Sequence, residues 1–350
     1  MNSHCFFILI LTFLIGCVAP IDVALDDGAS RQLVVEGWIN DVDSITVVQL
    51  STSSFDAVGE NSLGRNAQVS ITSVGDDRVI TLNEVFPGRY ETDPGALPGV
   101  VGGSYQLNIE LTNGQSYASD RVTIPEPVVI TDTDVELLET RGELDDGTPF
   151  VRFAHEVILD LENSDREQYV RIESQGWAES YVDYGLCDED LGGFGIPGEL
   201  SCWQFRQVIE SDINIATNVG ISSEVYRVSG VVVPFDFRAR YVAEVFVYSM
   251  SVEAFAFWNA ATIQLQRSGG MFDPPFPPIV GNVANKDGNS LPALGYFHAY
   301  SQSFTRTCFN RTGIPGRFDI PVLDCMTTCE QFWAPAVFEL PFERIELCND

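Results

Sequence analysis

The segment Gln32-Leu33-Val34-Val35-Glu36-Gly37-Trp38-Ile39 decides the fold class, together with Ser44-Ile45-Thr46-Val47-Val48-Gln49-Leu50 beyond the turn-like Asn40-Asp41. Both runs are short and rich in β-branched residues, which suit a pleated surface better than a helix. The same texture continues outward. Further strands are expected at Ala67 to Val74, Arg78 to Asn83, Gly88 to Thr92, Ser104 to Leu111 and Gln115 to Ile124. Asn113-Gly114 signals a hairpin, because both residues tolerate the positive φ of a type I′ turn. This spacing of short strands predicts an immunoglobulin-like β-sandwich over residues 31–125, in architecture only, since the internal cysteine pair of antibody domains is missing.

Pro125-Glu126-Pro127 reads as a boundary, because two prolines this close interrupt ladder hydrogen bonds. Beyond it, residues 128–350 are expected to form a larger antiparallel β-rich domain with one principal α-helix. Long β segments are predicted at Val128 to Arg141, Phe150 to Leu161, Gln168 to Tyr184, Val208 to Thr217, Glu224 to Pro234, Phe237 to Ser249 and Ala293 to Thr307. Val151, Phe153, His155, Val157, Leu159 and Leu161 alternate with more polar neighbours, so His155 is placed on an inward face as a hydrogen-bonded core residue. The helix is expected over residues 251–267, with Ser251 as its cap, Glu253 complementing its dipole and Gly269-Gly270 as its stop. Its Phe255, Phe257, Trp258 and Ile263 read as core material rather than as an aromatic ligand box.

Composition narrows the functional classes. The chain has 350 residues, 45% of them hydrophobic, enough for a sizeable core, and a net charge of 19 − 50 = −31. Such a charge opposes binding to a phosphate backbone, so nucleic acid is not an expected partner. Lys286 is the only lysine, and the acidic, lysine-poor surface reads either as a salt adaptation or as a cation-binding surface.

The amino terminus indicates the compartment. Phe6 to Ile15 is too short an apolar run to span a bilayer, and Leu14-Ile15-Gly16-Cys17 reads as a lipobox. Residues 1–16 are then a lipoprotein signal peptide, Cys17 the lipidation site and residues 17–30 a tether, giving an exported, lipid-anchored protein. The mature cysteines beyond the anchor are Cys187, Cys202, Cys308, Cys325, Cys329 and Cys348. In an exported chain these are disulfide candidates, with Cys187–Cys202 the best local pair and the others stapling the tail to the body. Their spacing does not suit zinc, and no metal or cofactor is expected.

Ser268-Gly269-Gly270-Met271-Phe272-Asp273-Pro274-Pro275, Ile279-Val280-Gly281-Asn282-Val283 and Leu294-Gly295-Tyr296-Phe297 together resemble the domain of unknown function 4249 family. Leu33 to Gly37, Phe257-Trp258, Cys325, Cys329 and Phe332-Trp333 fit the same resemblance. It implies a Bacteroidota envelope lipoprotein of the kind often associated with TonB-dependent outer-membrane receptors, accessory to nutrient uptake, with an unknown ligand. The stiff loop around Asp273-Pro274 reads as a structural strap or a binding rim, and Asp273 and Asn282 as local turn caps.

No nucleophile elbow, zinc helix, phosphate loop or dinucleotide fingerprint occurs, although His155 or His298 could join a nucleophile through folding. Asp145-Asp146-Gly147 and Asn285-Lys286-Asp287-Gly288-Asn289 read as turns rather than calcium loops. The expected role is therefore noncatalytic binding or transport accessory, with envelope structure or assembly, and then an envelope hydrolase, as alternatives.

Overall fold

The computed structural model describes residues 32–42, 45–53, 65–143, 147–183, 199–206, 213–235, 240–266, 279–288 and 290–311. The expected signal peptide and tether with Cys17, the proline-rich segment with Phe272, Asp273 and Pro274, and Cys187, Cys325, Cys329 and Cys348 lie outside them.

The described chain is mainly β with a single helix. The first strands are β1 (Leu33–Asn40), β2 (Val47–Thr52), β3 (Gln68–Ser73), β4 (Arg78–Phe86), β5 (Arg89–Glu91), β6 (Ser104–Glu110), β7 (Ser116–Ser119) and β8 (Val122–Thr123). Beyond Pro125-Glu126-Pro127 follow β9 (Ile130–Glu143), β10 (Pro149–Glu162), β11 (Tyr169–Asp183), β12 (Glu199–Arg206), β13 (Asn214–Thr217), β14 (Val225–Pro234) and β15 (Arg240–Met250). Helix α1 (Val252–Leu265), β16 (Val283–Asn285) and β17 (Leu294–Asn310) complete the set.

Alternation builds the first core. In β1, Leu33, Val35 and Ile39 point inward, joined by Val48, Ile71, Leu107 and Phe297. Each such side chain contributes about 1.5 to 3 kcal/mol by leaving water. Asn113-Gly114 does turn the chain, but by a different geometry from the one expected. Gly114 has φ +85°, whereas Asn113 keeps a negative φ. The Gly114 N–H donates to the Leu111 carbonyl and the Leu111 N–H to the Gln115 carbonyl, which makes a three-residue loop ending in a left-handed glycine.

β10 shows how far alternation reads true. From His155 through Val157, Leu159 and Leu161 every second residue is buried, as expected, but Phe153 is only half-buried and Val151 is exposed. With β9 and β14 it forms a separate three-stranded antiparallel sheet. The buried faces of β10, β11, β14 and β15 enclose a second core containing Val157, Leu159, Val170, Ile172, Val231 and Val245.

β17 joins these parts. Its first half, Leu294 to Tyr300, runs parallel to Val34–Asn40 of β1. Its second half, Ser301 to Asn310, runs antiparallel to β15. The sheet path β11-β15-β17-β1-β2 therefore crosses from the later strands into the earliest ones, and β16 likewise pairs with β7. The N-terminal strands are completed by chain that arrives more than 160 residues later. Glu199 to Ser201 begin β12, which pairs with β11. In the Val208 to Thr217 segment the described strand is β13.

A cross-chain clamp fixes the start of β17. The Asn282 side chain is buried, accepting from the Phe297 N–H at 2.8 Å and donating to the Phe297 carbonyl at 2.9 Å. Asn282 thus acts on a strand 15 residues away rather than capping its own turn. Gly295 has φ +86°, and a Cβ there would run into the Val35 carbonyl. A Cβ on Gly281 would meet the Gly295 carbonyl in turn. Phe297 then inserts fully into the first core, while Tyr296 points to the other side of the sheet.

Candidate aromatic binding site

The face of the sheet opposite the second core carries the site. Cross-strand register places Arg171 opposite Tyr248 and Tyr248 opposite Gln302, so all three share this face. On the parallel pair, Glu36 lies beside Tyr296, Trp38 beside His298 and Asn40 beside Tyr300. Period-2 alternation along β17 thus delivers Tyr296, His298, Tyr300 and Gln302 to one side, away from Phe297 and Ala299.

Helix α1 covers one end of that face. Ser251 caps it, its hydroxyl accepting from the Ala254 N–H at 3.3 Å, and Gln266 closes it. Ala254, Phe257, Trp258 and Ala261 fall at i, i+3, i+4 and i+7, a single inward stripe. The helix does not fill the space beneath it. A cavity of about 690 Å³ lies between α1 and the sheet, walled by Trp38, Tyr248, Phe257, Trp258, Tyr296, His298 and Tyr300, with Glu36, Arg171, Glu173 and Gln302 as polar groups. Phe257 and Trp258 are half-buried, packing on Met250, Ala254 and Tyr296 while facing the cavity. The packing agrees with the core reading, and the faces turned to the cavity are the part that core filling leaves over.

The rings form two groups, one around His298 and one around Tyr248. Trp258 and His298 stack at 5.3 Å between centroids, His298 and Tyr296 lie 4.6 Å apart, and Tyr248 meets Tyr300 edge-on at 4.7 Å. The Arg171 guanidinium sits 3.8 Å from the Trp258 ring centroid and is ion-paired to Glu173. Burial, aided by the Arg171 charge, lowers the His298 pKa to about 3, so the imidazole is neutral at physiological pH. Burial also raises Tyr296 to about 12, with Glu253 and Asp120 reinforcing it, and raises Tyr248 further. These phenols therefore act as uncharged hydrogen-bonding groups.

Along the same face a polar ladder continues. Glu244, almost fully buried, accepts from Arg306 Nε at 2.8 Å and from Gln175 Nε2 at 2.7 Å. Glu179 is paired by two Arg240 nitrogens at 2.6 and 2.8 Å. A smaller cavity of about 340 Å³ adjoins the first, sharing Glu173 and Tyr248 and adding Phe205 and Phe246.

The two histidines among the described residues are far apart in environment. His155 lies against the second core, its ring tilted against Phe309 at 4.9 Å between centroids, with its pKa lowered by burial and by Arg311. Its Nδ1 has no hydrogen-bond partner among the described residues, unlike the satisfied core histidine expected. Cys308, on β17 opposite Val242, is disulfide-bonded. Cys202 lies on β12 opposite Ser180. Of the motif residues, Gly281, Asn282, Gly295 and Phe297 form the clamp and Tyr296 reaches the cavity. Asn285 to Asp287 form a turn in which Asn285 Oδ1 accepts from the Asp287 N–H.

Comparison with known proteins identifies one family, described as Domain of unknown function (DUF4249), which matches residues 18–306. No curated protein matches the chain. Among solved structures, the chicken interferon gamma receptor alpha chain is 9% identical with a TM-score of 0.19, covering 63% of this chain and 89% of that one. The FN1–FN3 domains of chicken CNTN1 are 15% identical with a TM-score of 0.22, covering 62% and 60%. An α-L-rhamnosidase from Dictyoglumus thermophilum is 10% identical with a TM-score of 0.25, covering 61% and 27%.

Proposed function

The chain belongs to the DUF4249 family, and from that premise we propose that it is a noncatalytic, lipid-anchored outer-membrane protein that binds a small ligand beside a TonB-dependent receptor. The observation that carries the binding role is the aromatic cavity under α1, concave, largely apolar and edged by a few polar groups. His298, the group most like a catalytic base there, has its pKa lowered to about 3. That is far from the near-neutral value at which a general base works best, which favours binding over chemistry. The Leu14-Ile15-Gly16-Cys17 lipobox supports the anchor. Tethering raises the local concentration of the protein around a membrane partner, so a weak direct contact suffices.

Cys17→Ala is expected to move the protein from the membrane to soluble or precursor fractions. Mild-detergent purification through the lipidated form should recover a receptor that the unlipidated form loses. Unchanged partition together with an unchanged mass of the mature N-terminus would refute the anchor. Turnover of envelope glycans or peptides by the purified protein, with no receptor copurifying, would replace the accessory role by a hydrolase.

A further inference from the structure

We propose that the cavity under α1 recognises an organic cation: an alkylated ammonium or guanidinium group whose apolar surface lies against the rings and whose charge faces Glu36. This rests on reading the cavity as a binding site and names what it takes. The charge balance of the wall is the starting point. Arg171 is neutralised by its ion pair with Glu173. Glu36 is exposed at the cavity and has no ion-pair or hydrogen-bond partner among the described residues. The lining therefore presents one uncompensated charge, and it is negative.

The walls suit the same ligand. Aromatic faces attract cations through their quadrupole, most strongly for tryptophan, and Trp38 and Trp258 both line the space. The Arg171 guanidinium 3.8 Å from the Trp258 centroid is an internal example of such a contact. Because His298 is kept neutral by burial, no second positive charge opposes an incoming cation. The net charge of −31 enriches cations at the surface before any specific contact forms. An anion would meet the reverse of each of these conditions.

The test uses the full mature chain, lipidated and in detergent, with choline and agmatine as cationic probes and 3,3-dimethyl-1-butanol as the neutral shape analogue of choline. Tryptophan fluorescence and calorimetry at matched ionic strength read the binding. At least one cation should bind saturably, about tenfold or more tighter than the alcohol. Glu36→Gln should weaken that binding about tenfold without altering thermal unfolding, since Glu36 holds no structural partner, and Trp258→Leu should abolish it. Equal affinity for choline and the alcohol, or no effect of Glu36→Gln, overturns the cation assignment. If neither cation binds, yet a neutral or anionic compound copurifies and is lost when Ala261→Trp fills the cavity, the cation assignment falls and the binding site stands. Absence of both probe binding and any cavity-dependent compound removes both.

Discussion

Replacing Gly295 with alanine should lower the unfolding free energy by about 3 kcal/mol or more. Two costs add at this position. A non-glycine residue at φ +86° is strained by about 1 to 3 kcal/mol, and an added Cβ runs into the Val35 carbonyl, a backbone atom that cannot rotate aside. Relief requires β1 and β17 to separate, at the parallel pairing that holds Trp38 beside His298. Gly114→Ala is the control. It has a similar φ of +85° with nothing near its Cβ, so it should show the φ cost alone, about 1 to 2 kcal/mol. Equal losses in denaturant unfolding of the two variants would mean that the close approach of the strands carries no energy.

The second large effect is on pH dependence. His298 titrates near 3 in the folded chain and near 6.5 when exposed. The unfolded state therefore takes up a proton first as pH falls, and folded stability drops from about pH 6.5 downward. The loss is absent above pH 6.5 and grows by about 1.4 kcal/mol per pH unit below it until the folded value is reached. The groups facing the imidazole are the Trp258, Tyr296 and Phe257 rings, with Arg171 and Glu173 on β11 and Glu36 on β1. His155 contributes with the same sign, so the informative quantity is the difference between variants. Unfolding free energies of His298→Gln and the unsubstituted protein, compared from pH 7 to 4, should diverge in slope by about 1.4 kcal/mol per unit below pH 6. Parallel curves would show that His298 is not held neutral by its surroundings.

Much of this architecture is legible in the residues themselves. β-branched runs mark β1 and β2, alternation marks His155 to Leu161, and Ser251 marks the start of α1. What alternation cannot supply is the neighbour. The pattern of β17 tells which side chains share a face, but its change of partner at Tyr300 and Ser301, from β1 to β15, leaves no local trace. Local pattern alone reads residues 31–125 as a self-contained set of strands, because nothing near Val34 announces a partner beginning at Leu294.

The cavity was hidden for a related reason. Phe257 and Trp258 at helical spacing look the same whether the space below is filled or open, and the small Ala261 one turn on was the available hint. Arg171, Glu36 and His298 come from three strands far apart in sequence, so only the fold reveals them together. The motif residues Gly281, Asn282 and Gly295 gave a truer signal, since two glycines flanking a buried amide suit a place where backbones approach closely.

The central claim is that the space beneath α1 is the functional site. It is tested most directly by purifying the protein and its Ala261→Trp variant under non-denaturing conditions, then denaturing both and measuring released small molecules by mass spectrometry. The account predicts a compound released in near-stoichiometric amount from the unsubstituted protein and absent from the variant, with both equally folded beforehand. A compound released in equal amount from the two would contradict it.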